Sequence, residues 1–530
     1  MSALEYWGRL QPDKAALVMA DSDAAMMTYG ELDRRAARVA RWLVSMGLQA
    51  GDCIAILLDN DPRMLELAWA ARRAGLYYAA VNNHLAPSEA SFILRDCDAK
   101  LLVASNATMP LARAMRDDAV ARPLACVLLD AREPGFANYD DELARVDSAV
   151  ALPERPLGRD MLYSSGTTGR PKGIRRPLVS YADRDRPDRD LETWREQFGF
   201  DDKTVYLSTA PFYHAAPLRY MMRTLACGGT CVALGRFDPE RALATIAKYR
   251  VTHSQWVPTM LTRLLRLPKE ARDRYDMSSM RVAIHAAAPC PPLVKQAMLD
   301  WWGDILYEYY GGSEGIGLTV IGAQEWRKHP GSVGKAKLGV IHIVNEQGHE
   351  VSPHEIGTIY FSGAANFEYH KDPEKTRQAY NEHGWATYGD IGHVDEDGYL
   401  YISDRRADLI LSGGANVYPM EIENVLLEHP AVADAAVIGI PDADMGEVPL
   451  AIVHLHEPQA AGAVLARELV MHCRSKLGSL KLPRRVIFEA PLPRLHTGKL
   501  LRRELKERLR DQLDVGFAVP LESAKEAPQA

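Results

Sequence analysis

The sequence predicts an α/β fold in two parts: a large N-terminal domain of parallel-rich sheets and helices, then a small α+β domain. Three observations carry that expectation. Over the first hundred residues, short apolar runs alternate with stretches of helical periodicity, and helices between apolar strands imply parallel sheets covered on both faces. At 530 residues the chain exceeds what one hydrophobic core can hold. From about Val333 the texture changes to strands and turns, and the region past Arg405 has helix and strand signals of its own. The divisions are drawn at 1–405 for the large domain, 406–515 for the small one, and 516–530 for a flexible tail that ends in a polar, Pro-containing stretch.

The elements follow in order. Thr28-Tyr29-Gly30-Glu31 reads as a capping box, with Leu32, Ala36, Val39, Leu43 and Met46 at helical spacing until Gly47. Cys53 to Leu58 is a short apolar strand. Asp61-Pro62 opens the next helix, and Gly75 lies just beyond its end. Leu76 to Val81 and Lys100 to Val103 read as further strands, and Met161-Leu162-Tyr163 as an apolar lead-in to a loop. The mixed charge run from Asp183 to Asp190 reads as a solvated loop. Asp397-Gly398 is a hairpin signal between Gly392-His393-Val394 and Tyr399-Leu400-Tyr401-Ile402. Helix and strand signals resume at Glu421, at Ala436 to Ile440 and at Leu450 to Leu455.

Composition excludes several classes. A net charge of −7 argues against a general nucleic-acid binder. No apolar run approaches the roughly 18 residues of a membrane span, and no basic region followed by an apolar stretch marks a secretion signal at the N-terminus. Seven cysteines are sparse for this length. Cys227 and Cys231 flank two glycines without a second Cys/His pair at metal spacing, so a buried or hairpin role is expected of them. The chain reads as reduced, soluble and cytoplasmic.

The loop Tyr163-Ser164-Ser165-Gly166-Thr167-Thr168-Gly169-Arg170-Pro171-Lys172-Gly173 carries the most chemistry. It holds four Ser/Thr hydroxyls, three glycines and two cations. Glycines let backbone N–H groups converge on an anion, hydroxyls add donors, and Lys172 adds charge. That composition suits a polyphosphate, although it does not follow the Walker pattern; a polar surface turn draws on the same residue types. Four more segments follow. Tyr310-Gly311-Gly312-Ser313-Glu314-Gly315 sets an aromatic face and a carboxylate beside a glycine-rich turn. Trp385-Ala386-Thr387-Tyr388-Gly389-Asp390 places a carboxylate on a turn. Asp404-Arg405-Arg406-Ala407-Asp408 leads to Ser412-Gly413-Gly414-Ala415-Asn416. Pro493-Arg494-Leu495-His496-Thr497-Gly498-Lys499 presents one lysine on a Thr-Gly turn.

Singly, these segments are a turn, a hairpin end or a basic helix start. Together and in this order, from Thr28 through Lys499, they closely resemble the adenylate-forming superfamily. That group includes acyl-CoA synthetases, firefly-luciferase-like enzymes and the adenylation domains of peptide synthetases. The resemblance implies ATP, Mg²⁺ and CoA as cofactor and co-substrates. It implies that Ser164, Ser165, Gly166, Thr167, Thr168, Gly169 and Lys172 hold the β- and γ-phosphates. Tyr310 would stack on adenine, with Gly311 and Ser313 beside the nucleotide. Asp390 and Arg405 would hold the ribose, and Glu314 with Thr167 would ligate Mg²⁺. Lys499, Glu314 and His214 are the implied catalytic residues, with Lys499 neutralising charge on the α-phosphate and the attacking carboxylate. A mobile C-terminal domain would pivot near Arg406-Ala407 and bring Gly413 and Gly414 to the CoA. The chain departs from the family at Tyr388, where Thr is usual, at Ala407, where Asp is common, and at Ser313, which replaces Thr.

By the same resemblance, the acyl pocket would be walled by His214, Leu218, Trp256, Ala286, Ala287, Ala288 and Gly312. His214 also reads as a packed or capping residue, and the alanine run as simple close packing. No Asp stands in the segment from Pro211 to Leu218, nor a Lys at its pocket face, to pair with an ammonium or a second carboxylate. The expectation is therefore an AMP-forming ligase joining a hydrophobic carboxylic acid (fatty, arylalkanoic or steroid side-chain type) to CoA. An enzyme loading a separate carrier protein is the alternative, and a non-catalytic nucleotide binder a third reading. A homodimer is an admissible assembly.

Overall fold

The computed structural model describes residues 3–21, 26–118, 125–147, 149–164, 171–184, 189–363, 367–405, 408–413, 415–442, 444–489, 491–494, 500–509 and 516–519. The helix Tyr29–Ser45 begins where its signal lies: the Thr28 hydroxyl accepts from the Glu31 N–H at 3.2 Å. The return half of the capping box differs from expectation. The Glu31 carboxylate turns along the helix to Arg35 at 2.8 Å, its i,i+4 neighbour.

Two sheets organise the large domain. In one, Ala137–Asn138, Ala125–Leu128, Ala99–Ala104, Cys53–Leu57, Tyr77–Ala80 and Arg159–Asp160 lie side by side, all parallel. Every residue of Cys53–Leu57 and Tyr77–Ala80 is buried, as strands covered on both faces must be. In the other, Leu306–Gly311, Val282–His285, His253–Trp256, Val205–Ser208, Thr230–Ala233 and Ala15–Met19 form a parallel centre with antiparallel edges. Alternate side chains enter different cores. Ile54 and Ile56 join Tyr206 and Ile284 in the layer between the sheets, while Ala55 and Leu57 face one outer layer and Leu207 and Ala283 the other. The result is helix, sheet, helix, sheet, helix.

Beyond this lie a small antiparallel sheet, Glu368–Tyr369, Lys172–Arg175 and Leu162–Ser164, and a four-stranded antiparallel one, Val340–Val344, Gly357–Ser362, Asp390–Val394 and Leu400–Arg405. The strands from Ile410 onward belong to a separate sheet, built on the long hairpin Val432–Asp442 and Gly446–Leu455. Its two faces fill two clusters, one containing Val437 and Val453, the other Ile438 and Ile452.

Two expectations change in detail. The stretch 516–530 does not begin as a tail, since Phe517–Ala518 pairs with Arg485–Phe488 and Val519 is buried. The charge run ends in the helix Arg189–Phe198 rather than in a loop throughout. Cys227 closes the helix Ala215–Ala226 and Cys231 sits in a parallel strand; both are buried free thiols, the buried role expected of them. Among the described residues, no helix is long and apolar enough to cross a membrane.

Candidate active site

The strand Leu306–Gly311 ends at the turn Gly312-Ser313-Glu314, on the side where parallel strands of such sheets receive ligands. Two polar corners meet at this turn. At the first, Tyr310 donates its hydroxyl to Asp390 Oδ2 at 2.6 Å. Asp390 opens its own strand and lies opposite Arg405, whose Nε is 3.6 Å from Asp390 Oδ1. Burial, with Asp390 beside it, holds the Tyr310 phenol well above its usual range. Three residues distant in sequence, Tyr310, Asp390 and Arg405, thus form one cluster.

At the second corner, Tyr369 donates its hydroxyl to Glu314 Oε1 at 3.0 Å, and the Lys172 ammonium lies 5.3 Å from the centre of the Tyr369 ring. Lys172 pairs across the small sheet with Ser164, so the two ends of the loop between them lie side by side. Ser165, Gly166, Thr167, Thr168 and Gly169 lie outside the described residues, as do Arg406, Ala407, Gly414 and Lys499.

The turn is shaped by close contacts. A Cβ added at Gly312 would meet Tyr388 Cε1 at 2.4 Å and Glu314 Oε2 at 2.6 Å. Tyr388 is itself pinned, donating to Gly317 O at 2.9 Å and standing edge-on to Tyr310 with ring centres 5.5 Å apart. Gly311 is tight but less crowded, with Gly317 O at 3.2 Å from such a Cβ. Behind the turn, Arg219 donates to the Ser313 carbonyl at 3.3 Å and to Asp160 Oδ2 at 2.7 Å, while Arg176 reaches Asp160 Oδ1 at 3.3 Å. Burial alone would push the Asp160 carboxyl up, but Arg219 and Arg176 overcome it and hold the group well below the carboxylate range.

Sequence reasoning did not single out Asp160, Arg176, Arg219 or Tyr369. Asp160 stands just before the apolar lead-in and Arg219 just after Leu218, positions that carry no local pattern. Only packing reveals them.

The expected acyl-pocket residues divide. His214 occupies the N-cap position of the helix Ala215–Ala226 without a side-chain capping bond, its ring 4.5 Å from that of Tyr213. Leu218 is fully buried on that helix and belongs to the layer between the sheets. Trp256 belongs to the opposite layer. Its ring packs against Trp302 and Phe237 and donates to Ser254 Oγ at 2.6 Å, so the structure does not bring it together with Leu218. Ala286 is buried, Ala288 half-buried, and Ala287 exposed with φ +76°, a left-handed conformation that a Cβ disfavours. Beneath this connection a buried Lys295–Glu308 pair ties the helix Pro292–Trp302 to the strand Leu306–Gly311.

Gly413, in the C-terminal unit, adopts φ +57° and donates its N–H to Met445 O at 2.8 Å. A Cβ there would lie 2.5 Å from Met445 Cε. Among the described residues, no group of three or more His, Cys, Asp or Glu side chains is placed to hold a metal.

Residues 4–369 match the AMP-binding enzyme family, and residues 421–499 match the AMP-binding enzyme C-terminal domain. The long-chain-fatty-acid–CoA ligase FadD13 of Mycobacterium tuberculosis is 31% identical over 505 residues, covering 94% of this chain and 96% of that protein. A feruloyl-CoA synthase of Amycolatopsis is 32% identical over 497 residues, with 91% and 94% covered. The crystal structure of ATP-bound MatB from Rhodopseudomonas palustris superposes with a TM-score of 0.81 at 30% identity, covering 97% of this chain and all of that one.

Proposed function

This chain belongs to the AMP-binding enzyme family and is an AMP-forming acid–CoA ligase, and we propose that its acid is hydrophobic, of the fatty, arylalkanoic or steroid side-chain type. One observation supports the chemistry most directly. The turn Gly312-Ser313-Glu314 joins a Tyr310–Asp390–Arg405 corner suited to a nucleoside and a Glu314–Tyr369–Lys172 corner suited to its phosphates.

In the proposed sequence, a carboxylate oxygen of the acid attacks the α-phosphorus of ATP, and the bond to pyrophosphate breaks. The CoA thiol then adds to the acyl carbonyl and loses its proton as AMP leaves. Asp390 accepts from the ribose hydroxyls and Arg405 steadies the same sugar, with Tyr310 presenting its ring to adenine. Lys172 and the loop from Ser164 to Gly169 receive the terminal phosphates. Glu314, a hard oxygen donor, is of the kind that Mg²⁺ takes singly beside phosphates and water; bound there with Thr167, Mg²⁺ would offset phosphate charge. Lys499 neutralises charge that shifts onto the α-phosphate and the carboxylate, a contribution worth about 10²–10³ in rate. The domain bearing Lys499 turns near Arg406-Ala407 between the two half-reactions, bringing Gly413 and Gly414 to the CoA.

The acid class is supported by the absence of Asp and Lys between residues 211 and 218. The relatives named above act, by their names, on a long-chain fatty acid and on an aryl acid. The test is AMP and thioester formation with ATP, Mg²⁺ and CoA across fatty, arylalkanoic and steroid acids. AMP together with one class of thioester is expected. Adenylate and pyrophosphate without thioester would transfer the reading to a carrier-protein acceptor. Lys499→Ala is expected to bind ATP nearly as well as the parent while losing adenylation, and wild-type adenylation in that variant would remove the lysine from the mechanism.

A further inference from the structure

We propose that Tyr369 is a positioning residue that keeps the carboxylate of Glu314 and the ammonium of Lys172 from pairing with each other, so that each keeps its charge for the metal and the phosphates of ATP. The inference rests on the ligase reading above, in which Glu314 meets Mg²⁺ and Lys172 the terminal phosphates. One side chain serves both groups. The Tyr369 hydroxyl donates to Glu314 Oε1 at 3.0 Å, and the Lys172 ammonium lies over the Tyr369 ring, 5.3 Å from its centre. Glu314 and Lys172 form no ion pair with each other, although the same ring engages both. The second carboxylate oxygen, Glu314 Oε2, accepts no hydrogen bond among the described residues and lies against Gly312, 2.6 Å from where a Cβ would stand. One open oxygen suits an ion that takes one or two carboxylates beside phosphates and water.

A spacer must itself be held, and Tyr369 is buried and fixed through its backbone. It pairs with Ile174 on the strand that begins at Lys172, and its N–H donates to Thr376 Oγ1 at 2.9 Å. The next N–H, of His370, donates to Gly173 O at 2.8 Å, and the Phe367 ring packs edge-on with centres 5.1 Å apart. Tyr369 is thus fastened to the strand that carries Lys172, while Arg219 holds the turn of Glu314 through the Ser313 carbonyl at 3.3 Å. A carboxylate and an ammonium in a partly buried site attract each other more strongly than in water, and a metal ion and a polyphosphate would each have to break that pair. A phenol gives the carboxylate a donor and the ammonium an attractive face, and neutralises neither charge.

The experiment is a double-mutant cycle on the full-length protein, combining Tyr369→Phe with Glu314→Gln. Three affinities are read without turnover: Mn²⁺ in the presence of ATP by electron paramagnetic resonance, and inorganic tripolyphosphate and AMP by titration calorimetry without metal. Tyr369→Phe keeps the ring over Lys172 and loses only the hydroxyl. It is expected to weaken Mn²⁺ binding about tenfold or more, as loss of a hydrogen bond to a ligating group does. Tripolyphosphate binding should weaken about fivefold, because the released Glu314 turns to Lys172. In the Glu314→Gln background the same loss of hydroxyl should change tripolyphosphate affinity by less than about twofold, since no carboxylate remains to capture the lysine. AMP affinity should hold within about twofold throughout. Tripolyphosphate binding unchanged in Tyr369→Phe, whatever the result with Mn²⁺, overturns the proposal and leaves the ligase reading intact. A tripolyphosphate loss that Glu314→Gln does not abolish also overturns it, and so does an equal loss for AMP, which marks a structural role. Parent protein that binds none of the three probes overturns the ligase reading together with the proposal. If Tyr369→Phe fails to fold, as its melting temperature would report, Tyr369→Leu is carried through the same cycle. The loss of tripolyphosphate binding should again shrink in the Glu314→Gln background, and an undiminished loss overturns the proposal.

Discussion

Gly312→Ala tests the shape of the site in one atom. The new Cβ would sit 2.4 Å from Tyr388 Cε1, 2.6 Å from Tyr388 Cδ1 and 2.6 Å from Glu314 Oε2, against a comfortable carbon–carbon separation of about 3.5–4.0 Å. Something must move by about an ångström. Glu314 is the flexible end, but its other oxygen is held by Tyr369. The Tyr388 ring is held through its hydroxyl, which donates to Gly317 O and accepts from Gly317 N. Overpacking of this kind costs about 1–3 kcal/mol, and loss of the Tyr388 hydrogen bond adds about 1 kcal/mol. Urea titration should therefore show a loss of about 2–4 kcal/mol. Pyrophosphate exchange should fall about 10²-fold as the Glu314 carboxylate is displaced. Replacing the ring relieves the larger clash, so Gly312→Ala combined with Tyr388→Thr should be more stable than the sum of the single changes by about 1–3 kcal/mol. Wild-type stability in Gly312→Ala, or strict additivity in the double variant, would refute the steric argument.

Asp160→Asn should destabilise the protein by about 3–5 kcal/mol, because it removes the buried carboxylate that pairs with the half-buried Arg176 and Arg219. A loss below about 1 kcal/mol would show that solvent already screens the cluster. Since the folded Asp160 carboxyl is held below its unfolded range, the unfolded chain takes up the proton first. The stabilisation is complete above about pH 4 and is lost as pH falls from there toward the lower folded value, a slope that Asp160→Asn should flatten in acid titrations of stability. Ala287→Gly should stabilise by about 1 kcal/mol, because it relieves a left-handed residue bearing a Cβ. A lower melting temperature in that variant would refute the strain at the end of the strand Val282–His285.

What the sequence determined by itself was everything that short-range rules govern. Thr28 caps its helix, Gly75 ends the next one in a left-handed conformation, and the apolar runs near 53, 77 and 100 become parallel strands. These outcomes depend on neighbours a few residues away and on backbone groups that must find partners. The site motifs were legible for a similar reason, since each packs its glycines, hydroxyls and charges into one turn. Tertiary structure alone decided which turns met and which side chains supported them. Glu314 finds Tyr369, Lys172 faces the Tyr369 ring, and Asp160 binds Arg219, which in turn holds Ser313. No local pattern relates these residues, because sheet pairing and helix docking bring them together across long stretches of chain. Trp256 shows the same limit from the other side. Its position in the chain matches an acyl-pocket residue, yet strand alternation turns its ring into the layer of Phe237 and Trp302. Successive side chains leave a strand on opposite faces, and only the layers packed against a sheet decide which of those faces meets a pocket and which a core.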